Sequence, residues 1–275
     1  MNWHLNSVNV GRSVAPHGRE CMRIEVAGFT HVGMKRNHNE DSYLLLPDEA
    51  LVCVADGMGG HSSGEIASKI AIEELSEFFK LTSRDEEATW PFRMDKSRSY
   101  HENRLATGIK LANVRIFERA NSENKYKGMG TTIATVHFAT NLAYVAHVGD
   151  SRVYALRNGV LKQLTEDHSL LNDYLKAKKL TADEVEAFPH KNVIVRALGM
   201  KDTVQIDIVK LDPLEGDLFL LCSDGLSGMV PDSQIQKVLL QTAELQTSCE
   251  QLIDLANSAG GNDNVTCVLA RYHAS

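Results

Sequence analysis

The chain has 275 residues, 43% hydrophobic and 24% charged, with 29 Lys and Arg against 36 Asp and Glu for a formal charge of −7. That composition excludes wholesale disorder, and a chain of this length can bury roughly three quarters of its unfolded surface without a disulfide or structural metal. No apolar run approaches the roughly 18 residues of a membrane-spanning helix, and no dense Lys/Arg run offers a nucleic-acid footprint.

Residues 1–22 carry no clean periodicity and are expected to be an N-terminal extension; Met1–Val10 has neither the basic head nor the apolar core of a secretion signal. Residues 23–275 are expected to form one domain, since no linker or fixed repeat interrupts them. Leu51–Ala55 reads as a buried strand. Ser62 and Glu65 form a capping-box pattern ahead of a helical face of Ile66, Ile70, Leu75, Phe78 and Phe79. Thr82–Ser99 reads as a polar loop, and Leu105, Ile109, Ala112 and Ile116 mark a second amphipathic helix. Thr131–Phe138 and Leu142–Val148 are β-rich, and Asn158-Gly159 between two apolar runs signals a hairpin. Residues 168–187 read as helical, Val204–Val209 and Leu218–Cys222 as strands, Ile235–Leu240 and Cys249–Ala256 as helices, and Val265–Ala270 as the last strand. The mixture predicts an α+β domain with helices covering sheets. The five cysteines are odd in number and never spaced C-x-x-C, which favours a reducing cytoplasm over a disulfide framework or a zinc knuckle.

One pattern recurs: an apolar strand runs into an aspartate beside glycine or serine. It occurs at Val52–Gly57, Val145–Ser151 and Phe219–Gly225; Asp263-Asn264 stands just ahead of the last strand, and Asn39-Glu40-Asp41 ahead of another. One Asp-Gly is most often an ordinary turn. Five acids delivered by strand ends to one rim are different, because clustered carboxylates repel unless a cation neutralises them. Oxygen ligands without His or Cys select hard ions, Mg²⁺ or Mn²⁺. Two such ions can polarise a water and clamp a phosphoryl transfer, and Arg36 beside them is a candidate phosphate anchor. Other chemistries fail on the sequence. The Gly59–Gly64 spacing lacks the Lys-Ser/Thr of a phosphate loop, and no H-E-x-x-H or G-x-S-x-G occurs. No cysteine has Arg six residues on; Ala27, Gly59, Gly228, Leu255 and His273 stand there.

These segments resemble the metal-dependent type 2C protein phosphatases (the PPM family) in their bacterial serine/threonine form. The likeness rests on Arg36–Asp41, Asp56–His61, Gly128–Thr132, Gly149–Arg152, Leu164–Ser169, Arg196–Gly199, Ser223–Leu226 and Asp263-Asn264, in that order, and spans roughly residues 24–272. The resemblance implies a central β-sandwich of two antiparallel sheets flanked by helix pairs, and a flap at about 168–196. It implies two tightly bound Mg²⁺ or Mn²⁺ ions and a weaker third. Asp56 would bridge the two ions, Asp224 and Asp263 complete the first, Glu40 and the Gly57 carbonyl hold the second, and Asp150 with Asp224 hold the third. Arg36 would grip the phosphate, Asp41 and Asn264 orient ligands and waters, and a metal-bridging water attack phosphorus. Met58 stands where eukaryotic members carry His, which leaves the leaving-group acid open between a metal-bound water and His61. His168 belongs to the family pattern and is expected to make a structural hydrogen bond at the base of the flap.

The implied activity is hydrolysis of phosphoserine and phosphothreonine in proteins, opposing a serine/threonine kinase that is itself a substrate, by a cytoplasmic monomer that binds neither nucleic acid nor membrane. The alternative is a catalytically weak phosphoprotein-binding module. Its mark would be a lost bridging acid, and Asp56, Asp224, Asp263 and Glu40 are all present.

Overall fold

The structure, a computed structural model, describes residues 9–12, 22–60, 63–85, 88–139, 141–178 and 193–274. Two antiparallel sheets stack face to face. In spatial order the first holds β1 (Asn9–Arg12), β2 (Arg23–His31), β12 (Val265–His273), β11 (Leu218–Cys222), β8 (Arg152–Arg157) and β9 (Val160–Gln163). The second holds β10 (Asp207–Leu211), β7 (Leu142–Val148), β6 (Ile133–Ala139), β4 (Leu51–Met58) and β3 (Asp41–Leu46), with β5 (Gly130–Thr131) pairing the end of β4. Helices α1 (Ser63–Arg84) and α2 (Tyr100–Ser122) cover the second sheet, and α5 (Asp232–Gln241) and α6 (Leu245–Ser258) cover the first. The short α3 (Leu170–Lys178) and α4 (Asp224–Ser227) complete the described helices. This is the α-β-β-α sandwich that the resemblance implied.

Period-two alternation explains why the strand cores read as unbroken apolar runs. In β4, Val52 and Val54 face the other sheet, while Leu51, Cys53 and Ala55 face the helices. In β11, Phe219 and Leu221 point between the sheets, and Leu218, Leu220 and Cys222 point to α5 and α6. Each inner strand is covered on both sides, so it has no polar face to alternate with. The described cysteines, Cys53, Cys222, Cys249 and Cys267, are free and buried. Among the described residues no helix is long and apolar enough to cross a membrane.

Several elements differ from the sequence expectation. Residues 9–12 of the expected extension pair with Arg23–Val26 as the edge strand β1. The polar stretch 82–99 is shorter as a loop: α1 runs to Arg84, and α2 starts at Tyr100 behind a capping box in which Ser99 and Glu102 exchange bonds. The predicted Val204–Val209 strand begins at Asp207, because Ile206 drops into the core beside α2 and pairing with β7 starts after it. Of the predicted 168–187 helix, α3 covers Leu170–Lys178; 179–192 lie outside the described residues, as does Ser62. Asn158 and Gly159, with φ of 51° and 79°, make the expected two-residue hairpin.

The inter-sheet core turns on Phe219, whose ring meets Phe138 edge-on at 5.1 Å with no exposure to solvent. Phe219→Ala should lower the unfolding free energy by about 3–5 kcal/mol, read from urea denaturation at fixed Mn²⁺. A loss under about 1 kcal/mol would contradict a packed inter-sheet core.

Candidate active site

Antiparallel pairing delivers the acids to one end of the sandwich. Asp41 and Asp56 face each other where β3 begins and β4 nears its end. Asp224 opens α4 just after β11, Gly149-Asp150 follow β7, and Asp263-Asn264 lead into β12, which pairs with β11. Arg36, at the rim and half exposed, donates from Nη2 to Asp263 Oδ2 at 2.7 Å. Glu40 Oε1 accepts the Gly64 N–H at the start of α1, and its carbonyl accepts the Gly57 N–H. Gly57 is obligatory: a Cβ there would lie 2.1 Å from Gly64 O and 2.6 Å from Glu40 O.

Neutral groups hold the acids in place. Asp41 Oδ2 accepts from Ser223 Oγ at 2.8 Å and Thr266 Oγ1 at 2.6 Å. Because the Thr266 proton goes to Asp41, Thr266 Oγ1 accepts from Thr30, 2.7 Å away, and Thr30 accepts from Asn39 Nδ2. Thr132 Oγ1 accepts the Asp56 N–H at 3.0 Å and lies 2.6 Å from Ser151 Oγ, while Thr131 Oγ1 donates to the Asp56 carbonyl at 2.8 Å. Asn264 Oδ1 accepts the Glu40 N–H, and its Nδ2 donates to the carbonyls of Val32 and His38, stapling the Arg36 loop.

The charges are in conflict. Burial, then the fields of Asp41, Asp224, Asp150 and Asp263, drives Asp56 well above the usual carboxylate range. Burial pushes Asp41 to about 7 against its two hydroxyl donors, and Asp150 to about 7 with Asp224 adding to it. Glu40 is raised by burial, and Asp224 by burial and then Asp263. Asp41 Oδ1 and Asp150 Oδ1 are buried and meet no hydrogen-bond donor among the described residues. Orphaned buried oxygens inside an all-oxygen donor set fit hard divalent cations, which would neutralise the repulsion and satisfy the lone pairs.

The structure thus brings together Arg36, Glu40, Asp41, Asp56, Gly57, Asp150, Asp224, Asp263 and Asn264. His61 lies outside the described residues. Sequence reasoning assigned no role to Thr131, Thr132, Ser151, Thr30 or Thr266. Thr131 and Thr132 lay in a recognised motif and Ser151 beside Asp150, but only the fold shows which backbone groups their hydroxyls reach.

Residues 31–270 match the family described as protein phosphatase 2C. The serine/threonine phosphatase stp of Listeria monocytogenes is 37% identical over 247 residues, covering 87% of this chain and 92% of that protein. The crystal structure of the Mycobacterium tuberculosis serine/threonine phosphatase PstP/Ppp superposes with a TM-score of 0.80 at 33% identity, over 91% of this chain and 99% of that one. The catalytic domain of PstP in complex with two manganese ions gives a TM-score of 0.76 at 33% identity, over 92% of this chain and all of that one. The chain belongs to the protein phosphatase 2C family. It is a metal-dependent serine/threonine protein phosphatase of the bacterial form, a hydrolase that acts on phosphorylated proteins.

The raised carboxyls link metal, pH and stability. With Asp41 and Asp150 at about 7 in the folded state, above the unfolded value of roughly 3.9, their stabilising contribution is present at acid pH and lost as pH rises through about 7. Cations displace those protons, so apparent Mn²⁺ affinity should climb with pH up to that value. Calorimetry at pH ~6.5 in buffers of different ionisation enthalpy should register proton release on Mn²⁺ binding, shrinking by pH ~8. Buffer-independent heats at the lower pH would show that these carboxyls are already ionised.

Proposed function

We propose that Glu40, Asp56, the Gly57 carbonyl, Asp150, Asp224 and Asp263 hold the metal ions, and that Arg36 anchors the substrate phosphate. Asp56 would bridge two tight ions, Asp224 and Asp263 would complete one, Glu40 and Gly57 the other, and Asp150 with Asp224 would serve a weaker third. When bound, the ions supply the acidification of a water and the positive charge that draws the phosphoryl oxygens into line. The chain's own residues do the rest. Asp41 and Asn264 fix the backbone and hydroxyl frame around the ligands. Arg36, planar and permanently charged, matches two phosphoryl oxygens at once and stays at the rim where a phosphorylated side chain enters.

The observation that carries this reading is the convergence of five acids from separate strand ends on one space, with orphaned carboxylate oxygens beside them. We infer further that the enzyme is a cytoplasmic monomer whose phosphatase domain is residues 23–275, with a flap at about 168–196, and that it reverses a serine/threonine kinase that is among its substrates; the strand at 9–12 adds to the edge of that domain. The resemblance and the free, buried cysteines support that setting.

Phosphate release from a phosphothreonine peptide should require Mn²⁺ or Mg²⁺ and cease with EDTA; release that survives EDTA would overturn the metal assignment. Asp224→Asn should cut kcat by about 100-fold or more, the scale of removing one preorganised charge interaction. Arg36→Ala should raise KM by roughly 10-fold with kcat nearly unchanged, since the anchor binds ground and transition states alike. An unchanged KM would remove Arg36 from phosphate binding.

A further inference from the structure

Outside the acid cluster, His147, His168 and Asp207 bring one ligand atom each to within 4.8 Å of one another. They do not suit a cation. The two imidazoles are stacked, 4.6 Å apart and 18° from parallel, so their in-plane lone pairs do not converge on one point. The Arg196 guanidinium also stands 3.0 Å from both His168 Nε2 and Asp207 Oδ1. The trio does something else.

Gly149 carries no side chain to brace the turn that presents Asp150, and its φ of +110° suits only glycine; a Cβ there would meet Thr132 Cβ at 2.6 Å. One residue supplies both of its backbone bonds. His168 N–H donates to Gly149 O at 3.0 Å, and His168 Nδ1 accepts the Gly149 N–H at 3.0 Å. An accepting Nδ1 leaves the ring proton on Nε2, which donates to Asp207 Oδ2 at 3.1 Å, while Arg196 Nη1 donates to the other oxygen of the same carboxylate; the approach of Nη1 to the protonated Nε2 is then a close contact between two donors sharing one carboxylate, not a hydrogen bond. Burial favours the neutral ring that this pattern needs. The His168 carbonyl accepts the Val195 N–H at 2.9 Å, and Leu170 N–H donates to Val193 O at 2.9 Å. A single residue therefore joins the two: its ring and its backbone N–H hold the turn of Asp150, its ring reaches Asp207, and its carbonyl holds the arm at 193–196.

We propose that His168 is a positioning residue that fixes the Gly149-Asp150 turn and couples it to the arm at 193–196. The inference rests on the reading that Asp150 serves a weaker third ion. His168 sets the placement of that carboxylate through Gly149, so any displacement of the arm is felt at the weakest ion and not at the two tight ones.

Two variants separate the contacts. His168→Asn can put its Oδ1 where Nδ1 stands and keep the Gly149 bond; His168→Gln reaches toward Asp207 but loses that bond. Mn²⁺ binding, followed without substrate by the electron paramagnetic resonance of the free ion, should show the weakest site loosened about fivefold in His168→Gln, the scale of one lost hydrogen bond. The tighter sites should be unchanged, and His168→Asn should lie within about twofold of wild type at every site. Gly149 amide exchange should quicken in the Gln variant and stay slow in the Asn variant. Identical isotherms and exchange rates for the two variants would overturn the proposal, as would a loss of thermal stability with a wild-type isotherm. If Asp150→Ala leaves the isotherm unchanged, the third-ion reading is what fails, and the His168 brace is then judged on the Gly149 amide alone. Should the Gln variant not fold, the wild-type long-range ¹H–¹⁵N spectrum decides: a proton on His168 Nε2 sustains the brace, and one on Nδ1 refutes it.

Discussion

The mutual repulsion of carboxylates held at one end of the sandwich is the constraint on which the rest depends. Asp56 alone feels Asp41, Asp150, Asp224 and Asp263. In water such a group would drift apart; here it cannot, because the acids are rooted in strand ends that a close-packed core fixes, and relief comes from protons or from cations that displace them. The energy of that crowding is latent affinity for cations. A site that is uncomfortable without charge compensation binds divalent ions in proportion to what they relieve.

The frame around the acids follows the same logic. The groups that grip Asp41 and Asp56 are hydroxyls, amides and backbone N–H, not lysines or arginines. A cationic clamp would cancel the negative field that the ions require, whereas neutral donors fix geometry and leave net charge in place. The relay from Asn39 through Thr30 and Thr266 to Asp41 has a single direction, since each hydroxyl that donates onward must accept from behind. The nearest fixed cation on the Asp150 side, Arg152, has its fork engaged by Asp167, with Nε on Oδ1 at 2.9 Å and Nη2 on Oδ2 at 2.7 Å. What is left of its field eases Asp150 and Asp224, but burial still holds both above the usual carboxylate range.

Much of this was legible in the sequence, and what was not has a physical cause. The strand-then-aspartate pattern could be read because an apolar run and the acid that ends it are contiguous in the chain. The sandwich followed from the resemblance, and the doubly covered strands are why composition alone gave only a mixed α+β class. The start of α2 at Tyr100 agrees with a loop ending at Ser99, but the capping pair of Ser99 and Glu102 that fixes it was not read, because a serine closing a polar stretch looks like more loop until the reciprocal bonds are seen. Thr132, Thr266 and Asp207 could not have been assigned from spacing. Their partners lie 39 to 225 residues away in the chain, and a threonine or a half-buried aspartate has no local signature that distinguishes such a contact. His168 was expected to make a structural hydrogen bond. That it satisfies both backbone groups of Gly149 is a property of the fold.

Arg36 shows how one residue meets two demands. Its guanidinium lies against Asp263 at the rim, and that carboxylate holds the Arg36 proton more tightly. The pairing is half exposed, so it is screened and adds little stability. A weak pair is what an anchor requires. An arginine forked tightly on a buried carboxylate, such as Arg157 on Asp217, could not turn to a phosphate without leaving that carboxylate buried and unpaired. On the proposed reading, a cation that took over Asp263 would free Arg36 to turn toward solvent, where an incoming phosphate would be the next anion it met. Exposure, which in the sequence alone would argue for a merely solvated side chain, is the condition for the role.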